Sequence, residues 1–126
     1  MDLTPLIPEG RQIVESYGDG KFRVSGALYA QSILIFPERT VAWPVADIRT
    51  LTLESWASVA AAGESGAISL LLIGVGARMA LIPAALRAGL RAKGIVIEPM
   101  DTGAACRIYN VLAAEGRKVA AALVAV

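Results

Sequence analysis

Two glycines, Gly74 and Gly76, follow an apolar run in the middle of the chain, and Arg78 comes two residues later. A glycine turn between a buried strand and a helix is where nucleotide-binding folds hold pyrophosphate, because free helix N–H groups attract anions. The spacing matches the dinucleotide pattern G-x-G-x-x-G only in part, since Met79 occupies the third glycine position. The pattern is more typical of a tight turn that requires glycine than of a dinucleotide site. A smaller anion or polar group near Arg78 fits the pattern better.

A second group of reactive side chains occupies residues 101–110, which carry an acid, a hydroxyl, a thiol, a phenol and an amide. On a helix, Cys106 lies beside Tyr109 and Asn110, three and four residues further on. Thiol chemistry would need a lowered pKa, which Arg107 or the helix N-terminus can provide. A helix that packs on a sheet buries such a face, however, and a free cysteine then acts as a small apolar side chain. We therefore predict that Cys106 is buried and structural.

The chain contains no histidine and a single cysteine. These counts exclude Ser-His-Asp and Cys-His nucleophiles within the chain, and zinc sites with histidine ligands. One thiol also excludes an internal disulfide and, unless a partner chain contributes ligands, a cysteine-ligated iron–sulfur cluster. The acids Asp47, Glu54 and Glu64 have no neighbour at a spacing that defines an acid–base pair. We therefore predict no catalytic residue, no metal and no cofactor.

Composition and charge narrow the possible partners. Twelve basic and eleven acidic residues give a net charge of +1, without a block of like charges, so nucleic acid is not an expected partner. Hydrophobic residues make up 56% of the chain, yet an uncharged run such as residues 65–77 is far shorter than the roughly 20 residues of a membrane-spanning helix. The first ten residues lack the pattern of a secretory signal. We expect a cytoplasmic protein with one domain over residues 1–126.

The pattern of apolar residues predicts the elements that must position these side chains. Alternating and β-branched runs at residues 21–25, 32–36 and 41–43 predict an N-terminal β-meander. A helix is expected from Thr52, ending at Gly63. The β-meander and this helix precede the α/β part of the chain.

A βαβ unit is predicted from residues 68–73, 83–93 and 95–97, with parallel strands and a right-handed crossover. A further helix, capped by Asp101 or Thr102, leads to a last strand from residue 119; acid, glycine and two bases at 115–118 are typical of a helix end. The carboxyl ends of the parallel strands should bring one set of polar and glycine residues to one edge of the sheet. We predict that this edge binds a ligand or partner through Gly74, Gly76, Arg78, Asp101 and Thr102, and that the opposite edge has less binding capacity.

Several of these segments together resemble a known family. They are residues 70–76, 93–95, 100–110 and 115–123, the most specific being the Asp-Thr…Ala-Cys…Tyr-Asn…Glu-Gly-Arg run. They resemble the small uncharacterised proteins that include the mitochondrial NADH:ubiquinone oxidoreductase (complex I) assembly factor 3 and the adipogenesis-associated domain protein. The resemblance implies a three-layer α/β domain whose central mixed sheet has its last strand antiparallel to the rest. It implies no established enzymatic activity and no catalytic residue.

Two classes of function follow from these observations. The first is a non-catalytic binding or assembly module with a protein partner, acting in respiratory-complex assembly by resemblance. The missing histidine, the near-neutral charge and the family resemblance favour it. The alternative is a small-molecule or anion-binding enzyme that uses the Gly74–Gly76 turn between strand and helix. Homo-oligomerisation is compatible with both.

Overall fold

The computed structural model describes residues 11–45 and 47–126. Its helices are α1 (Ala57–Glu64), α2 (Ala84–Ala92) and α3 (Thr102–Ala114), with 3₁₀ turns at Ile48–Thr50 and Leu53–Trp56. Its strands are β1 (Val14–Gly18), β2 (Lys21–Val24), β3 (Ala27–Tyr29), β4 (Ile33–Ile35), β5 (Thr40–Ala42), β6 (Leu70–Gly74), β7 (Val96–Met100) and β8 (Val119–Leu123).

The strands form two sheets. A small antiparallel sheet contains β1, β2 and β3, and the main sheet has the order β5-β4-β8-β6-β7. In the main sheet β6 is parallel to both β7 and β8, whereas β4 is antiparallel to both β5 and β8. This is the predicted mixed sheet with a βαβ unit, and the three long apolar runs lie side by side in it.

The direction of the last strand differs from the expectation. We predicted that β8 runs antiparallel to the rest of the sheet, and this is correct toward β4 but wrong toward β6, to which β8 is parallel. The reason is the connection: α3 carries the chain from the end of β7 back across the sheet, and a helical crossover returns it to the end at which β6 begins.

The β-rich N-terminal part also divides differently from a single meander. The strands β1 to β3 form their own sheet, while β4 and β5 join the main one. The sequence of β4 explains its place, since it is apolar at every position and buried on both faces. Leu34 packs into the core on one side of the main sheet, and Ile33 and Ile35 pack into the core on the other side.

Two hydrophobic cores cover the two faces of the main sheet. On one face, Leu71 and Ile73 of β6 pack with the buried residues Val59 of α1 and Leu86 of α2. On the other face, Leu72 packs with α3 and with the small sheet. The strand period of two sends neighbouring apolar residues to opposite cores, and the result is the predicted three-layer α/β architecture.

The edge position of β7 explains why it is longer than predicted. The apolar run suggested a strand at residues 95–97, but β7 continues through Glu98 and Pro99 to Met100. Proline lacks the N–H that a central strand must donate, and an edge strand has one side where no donor is needed. The helices before and after β7 agree closely with the prediction, and Gly94 ends α2 with a positive φ of 83°.

Gly63 lies inside a helix and does not end it. We predicted a stop at this residue, which is wrong: α1 continues through Gly63 to Glu64. A Cβ atom on Gly63 would lie 2.5 Å from Ile95 Cδ1 and 2.7 Å from the carbonyl oxygen of Lys93. The missing side chain therefore allows α1 to pack directly against the turn that joins α2 to β7.

We expect Gly63→Ala to lower the free energy of unfolding by about 1–3 kcal/mol, because the added methyl group overpacks this contact. The sign is informative, since alanine in a helix interior is ordinarily more stable than glycine by about 1 kcal/mol. Ser58→Ala on the exposed side of α1 is the matched control and should be neutral or slightly stabilising. Urea unfolding curves compare the two variants, and a Gly63→Ala protein more stable than the wild type would contradict the close approach.

Candidate functional site

The predicted binding residues do gather at one edge of the main sheet. Gly74 ends β6 directly opposite Met100, which ends β7. The ladder continues beyond both strands, because the Val75 amide donates to the Met100 carbonyl at 2.9 Å and the Thr102 amide donates to the Gly76 carbonyl at 2.9 Å. The parallel pairing thus brings the glycine turn and the start of α3 together.

The hydroxyl group of Thr102 is the centre of this edge. The residue is fully buried, and its Oγ1 accepts a hydrogen bond from the Gly76 amide at 3.0 Å and donates one to the Val124 carbonyl at 2.8 Å. A Cβ atom on Gly74 would lie 2.9 Å from the Cα of Thr102. Gly74 is therefore required for the close approach of α3 to β6, and the hydroxyl is used to join two segments of the chain.

The N-terminus of α3 is capped by the chain itself. Asp101 is exposed, and its Oδ1 accepts from the Ala104 amide at 2.9 Å while its carbonyl accepts from the Ala105 amide at 3.0 Å. The Thr102 amide is also bonded, as described above. A carboxylate at a helix N-terminus satisfies the free N–H groups and offsets the positive end of the helix dipole. The anion attraction expected for this helix end is thus met by Asp101.

A loop of residues 75–83 extends from this edge and connects β6 to α2. Gly76 supplies a positive φ of 116° near its start, and Arg78 is exposed. Two apolar side chains of the loop are exposed to solvent, Met79 at 60% and Leu81 at 89% of their surface. Neither side chain is among the binding residues predicted from the sequence. The available signal was the presence of large apolar residues in a loop, where packing does not require them.

The potentially reactive side chains of α3 have a structural role. Cys106 is buried, as predicted, and burial raises the pKa of its thiol to about 12, with only a partial opposing effect from Arg107. The Tyr109 hydroxyl donates to the carbonyl groups of Gln12 and Phe36, at 3.1 and 3.3 Å. Burial raises the pKa of this phenol as well. These groups are neutral and shielded, which is the opposite of an activated nucleophile.

Asn110 joins α3 to the small sheet. Its Oδ1 accepts from the Val14 amide at 3.0 Å, and its Nδ2 donates to the Val14 carbonyl at 2.8 Å. The side-chain amide therefore occupies both backbone groups of one residue of β1, as a neighbouring strand would. This pairing accounts for the side-chain amide of Asn110, which lies one helical turn from Cys106.

In residues 11–45 and 47–126, no three acidic or cysteine side chains come together in a way that could hold a metal ion. Within the same residues, no helix combines the length and the apolar character needed to cross a membrane.

The family follows from comparison with known proteins. Residues 14–124 match the model of a family described as "Protein of unknown function (DUF498/DUF598)", and the chain belongs to this family. An uncharacterised protein of Rhodobacter capsulatus is 40% identical over 114 residues, which cover 87% of this chain and 82% of that protein.

The family includes complex I assembly factors, which confirms the resemblance. The Bos taurus NADH dehydrogenase (ubiquinone) 1 alpha subcomplex assembly factor 3 is 33% identical over 112 residues, covering 88% of this chain. The match spans 59% of the bovine protein's length. Among solved structures, a crystal structure described as an outer membrane protein from Bartonella henselae has a TM-score of 0.84 and 38% identity, covering 92% of this chain and 96% of the other.

We expect Thr102→Val to lower the free energy of unfolding by about 2 kcal/mol, because it keeps the side-chain shape but leaves the Gly76 amide and the Val124 carbonyl without their partner. Thr102→Ser retains the hydroxyl and should cost less than the valine variant. Chemical denaturation of the two variants tests this order. A valine variant as stable as the serine variant would mean that the hydroxyl does not hold this edge together.

We expect Cys106→Ala to cost about 1 kcal/mol of stability at pH 7. An unfolded thiol ionises near its ordinary pKa of 9.0, whereas the folded thiol remains neutral up to about 12. Rising pH therefore favours the unfolded wild type but not the unfolded alanine variant, and wild type should lose on the order of 1 kcal/mol relative to the variant by pH 10. Denaturation at pH 7 and pH 10 measures this gap, which is the difference in free energy of unfolding between wild type and the alanine variant. A gap that does not change with pH, or rapid labelling of the native thiol by a maleimide, would contradict a shielded thiol.

Proposed function

We propose that this chain is a non-catalytic binding module that contributes to respiratory-complex assembly by presenting the loop of residues 75–83 to a protein partner. The observation that carries the proposal is the exposure of Met79 and Leu81 in that loop. Burying one such side chain in an interface is favourable by about 1.5–3 kcal/mol. Two of them on one short loop provide a compact apolar contact.

The base of the loop is held in place, which favours binding. Val75 is buried, and Gly76 is bonded to Thr102 through both its amide and its carbonyl. Ile82, near the other end, packs partly against the core. A loop anchored at both ends loses less conformational entropy when a partner binds than a free segment does.

Arg78 adds a charge beside the two apolar side chains. Arginine is enriched at protein interfaces, because its guanidinium can form paired hydrogen bonds with a carboxylate. We therefore propose a partner surface with an apolar pocket and an acidic side chain next to it. Glycines Gly74 and Gly76 and the pair Asp101 and Thr102 support the loop and do not contact the partner in this proposal.

The relatives support the assembly role. The bovine relative is named for assembly of an NADH dehydrogenase subcomplex. The alternative, an enzyme at the Gly74–Gly76 turn, has less support because the polar groups there are paired with one another. A protein-binding role does not require any of them to be available.

The test is a deletion of the gene in the source organism, complemented with variants. Leu81→Asp and Arg78→Glu should lower the amount of assembled NADH:ubiquinone oxidoreductase on native gels, because each removes a proposed contact. Val111→Asp is the matched control, since Val111 is 58% exposed on α3, outside the loop. It should restore assembly. All three changes are at exposed positions and should shift the thermal midpoint by only a few degrees.

Two outcomes would contradict the proposal at different levels. Normal amounts of the complex in the deletion strain would exclude the assembly role. Impaired assembly in the deletion strain, restored equally by Leu81→Asp, Arg78→Glu and Val111→Asp, would keep the assembly role and exclude the loop as the contact surface.

A further inference from the structure

A cleft of about 520 Å³ lies at the other end of the main sheet. Ile68 and Lys118 line it just before β6 and β8 begin, and Phe36 lines it just after β4 ends. The far wall is the last part of α1 with the residues that follow it, including Ala62 and Ser65. The sequence predicts less binding capacity for this edge, because its residues belong to helix ends and turns.

The lining of the cleft is strongly positive. Four of its residues are cations and one is an acid: Arg11, Arg39, Arg117 and Lys118, against Glu38. The cleft therefore carries a larger excess of positive charge than the whole chain, whose net charge is +1. Among residues 11–45 and 47–126, the ion pairs within 4 Å are Arg49 with Asp47 and Lys93 with Glu64, so none of the four cleft cations forms an ion pair with a described carboxylate.

Contacts with the rest of the chain position the side chains of Arg11 and Arg39 and the backbone of Lys118. Arg11 Nη1 donates to the carbonyl of Arg117 at 3.2 Å. The guanidinium carbon of Arg39 lies 4.8 Å from the centre of the Phe36 ring. The Lys118 carbonyl accepts from the Ser69 amide at 2.9 Å, which fixes the backbone beside the cleft. Like charges held near one another repel, and an anion between them removes that cost.

The floor of the cleft is apolar. Phe36 and Ile68 are buried core residues that also line it, together with Ala61, Ala62 and Ala67. A volume of this size lies within the range of pockets that hold small organic ligands. An apolar floor under a rim of arginines matches a molecule with an anionic head and a hydrocarbon body, because guanidinium groups bind carboxylate and phosphate oxygens in pairs.

We propose that this cleft is a binding site for a small organic anion that carries a carboxylate or phosphate on a short apolar chain or ring. The rim of Arg11, Arg39, Arg117 and Lys118 holds the anionic group, and Phe36 and Ile68 contact the apolar part. The site is separate from the loop of residues 75–83 and does not depend on the proposed assembly role.

The experiment uses the full chain, labelled with ¹⁵N, and four probes: hexyl phosphate, hexanoate, 1-hexanol and inorganic phosphate. Hexyl phosphate and hexanoate should shift the amide resonances of Ser65, Arg117 and Lys118 and leave those of Gly76 and Asp101 unchanged. Hexyl phosphate should bind about tenfold or more tightly than either 1-hexanol or inorganic phosphate, since each of these lacks one half of the ligand. Affinity should fall as salt rises from 50 to 500 mM.

The control variants separate a local site from overall charge. Arg117→Gln with Lys118→Gln should weaken hexyl phosphate binding about tenfold, a loss typical of removing two charged contacts. Lys21→Gln with Arg23→Gln removes the same charge from exposed positions of β2 and should leave binding unchanged. Arg39→Gln is a second cleft variant, away from the start of β8, in case the double change perturbs that strand.

Three results would overturn the proposal. Equal binding of 1-hexanol and hexyl phosphate would exclude the cationic rim, and equal binding of inorganic phosphate and hexyl phosphate would exclude the apolar floor. Equal loss of affinity in the cleft and β2 double variants would show a general charge effect and no site.

Discussion

The buried hydroxyl of Thr102 is the contact on which one end of the domain depends. It connects the segment that follows β6 with the segment that follows β8, and it does so from the first residue of the helix that follows β7. The segments that follow the three parallel strands are therefore joined through one atom, Thr102 Oγ1. Gly74 makes this possible, because any side chain there would keep α3 away from β6. The loop of residues 75–83 begins beside this joint and is held at its base by it.

The apolar pattern predicted much of the fold, and the interactions between distant segments explain what it missed. The βαβ unit and α3 follow from continuous apolar runs, helical spacing and glycine stops, which are local signals. Two features depend instead on strand pairing between segments that are distant in sequence. They are the direction of β8 relative to β6 and the separation of β1–β3 from β4. Likewise, the sequence pattern correctly predicted that Gly74, Asp101 and Thr102 lie at one edge of the sheet. It contained no local signal that polar groups at this edge hydrogen bond to each other.

The same reasoning explains why the most noticeable polar residues are structural. Asp101, Thr102, Tyr109 and Asn110 are close in sequence, and each one hydrogen bonds a backbone group of the chain. The four cations that line the cleft come instead from separate segments, before β1, after β4 and before β8. Such a cluster is visible only after folding. In this domain, the polar residues that are close together in sequence form the hydrogen bonds that hold α3 to neighbouring parts of the fold.

The position of β8 has a consequence for how the domain is made. This strand lies between β4 and β6 and is the element that pairs with both, so it connects the N-terminal strands of the main sheet to the βαβ unit. A ribosome delivers β4, β5, β6 and β7 first, and each pair is then left with an apolar edge where β8 belongs. Long-range pairing is slow, and unpaired apolar edges are prone to aggregate. Closure of the sheet must therefore wait until residues 119–123 emerge from the ribosome, and until then the facing edges of β4 and β6 are open to incorrect pairing.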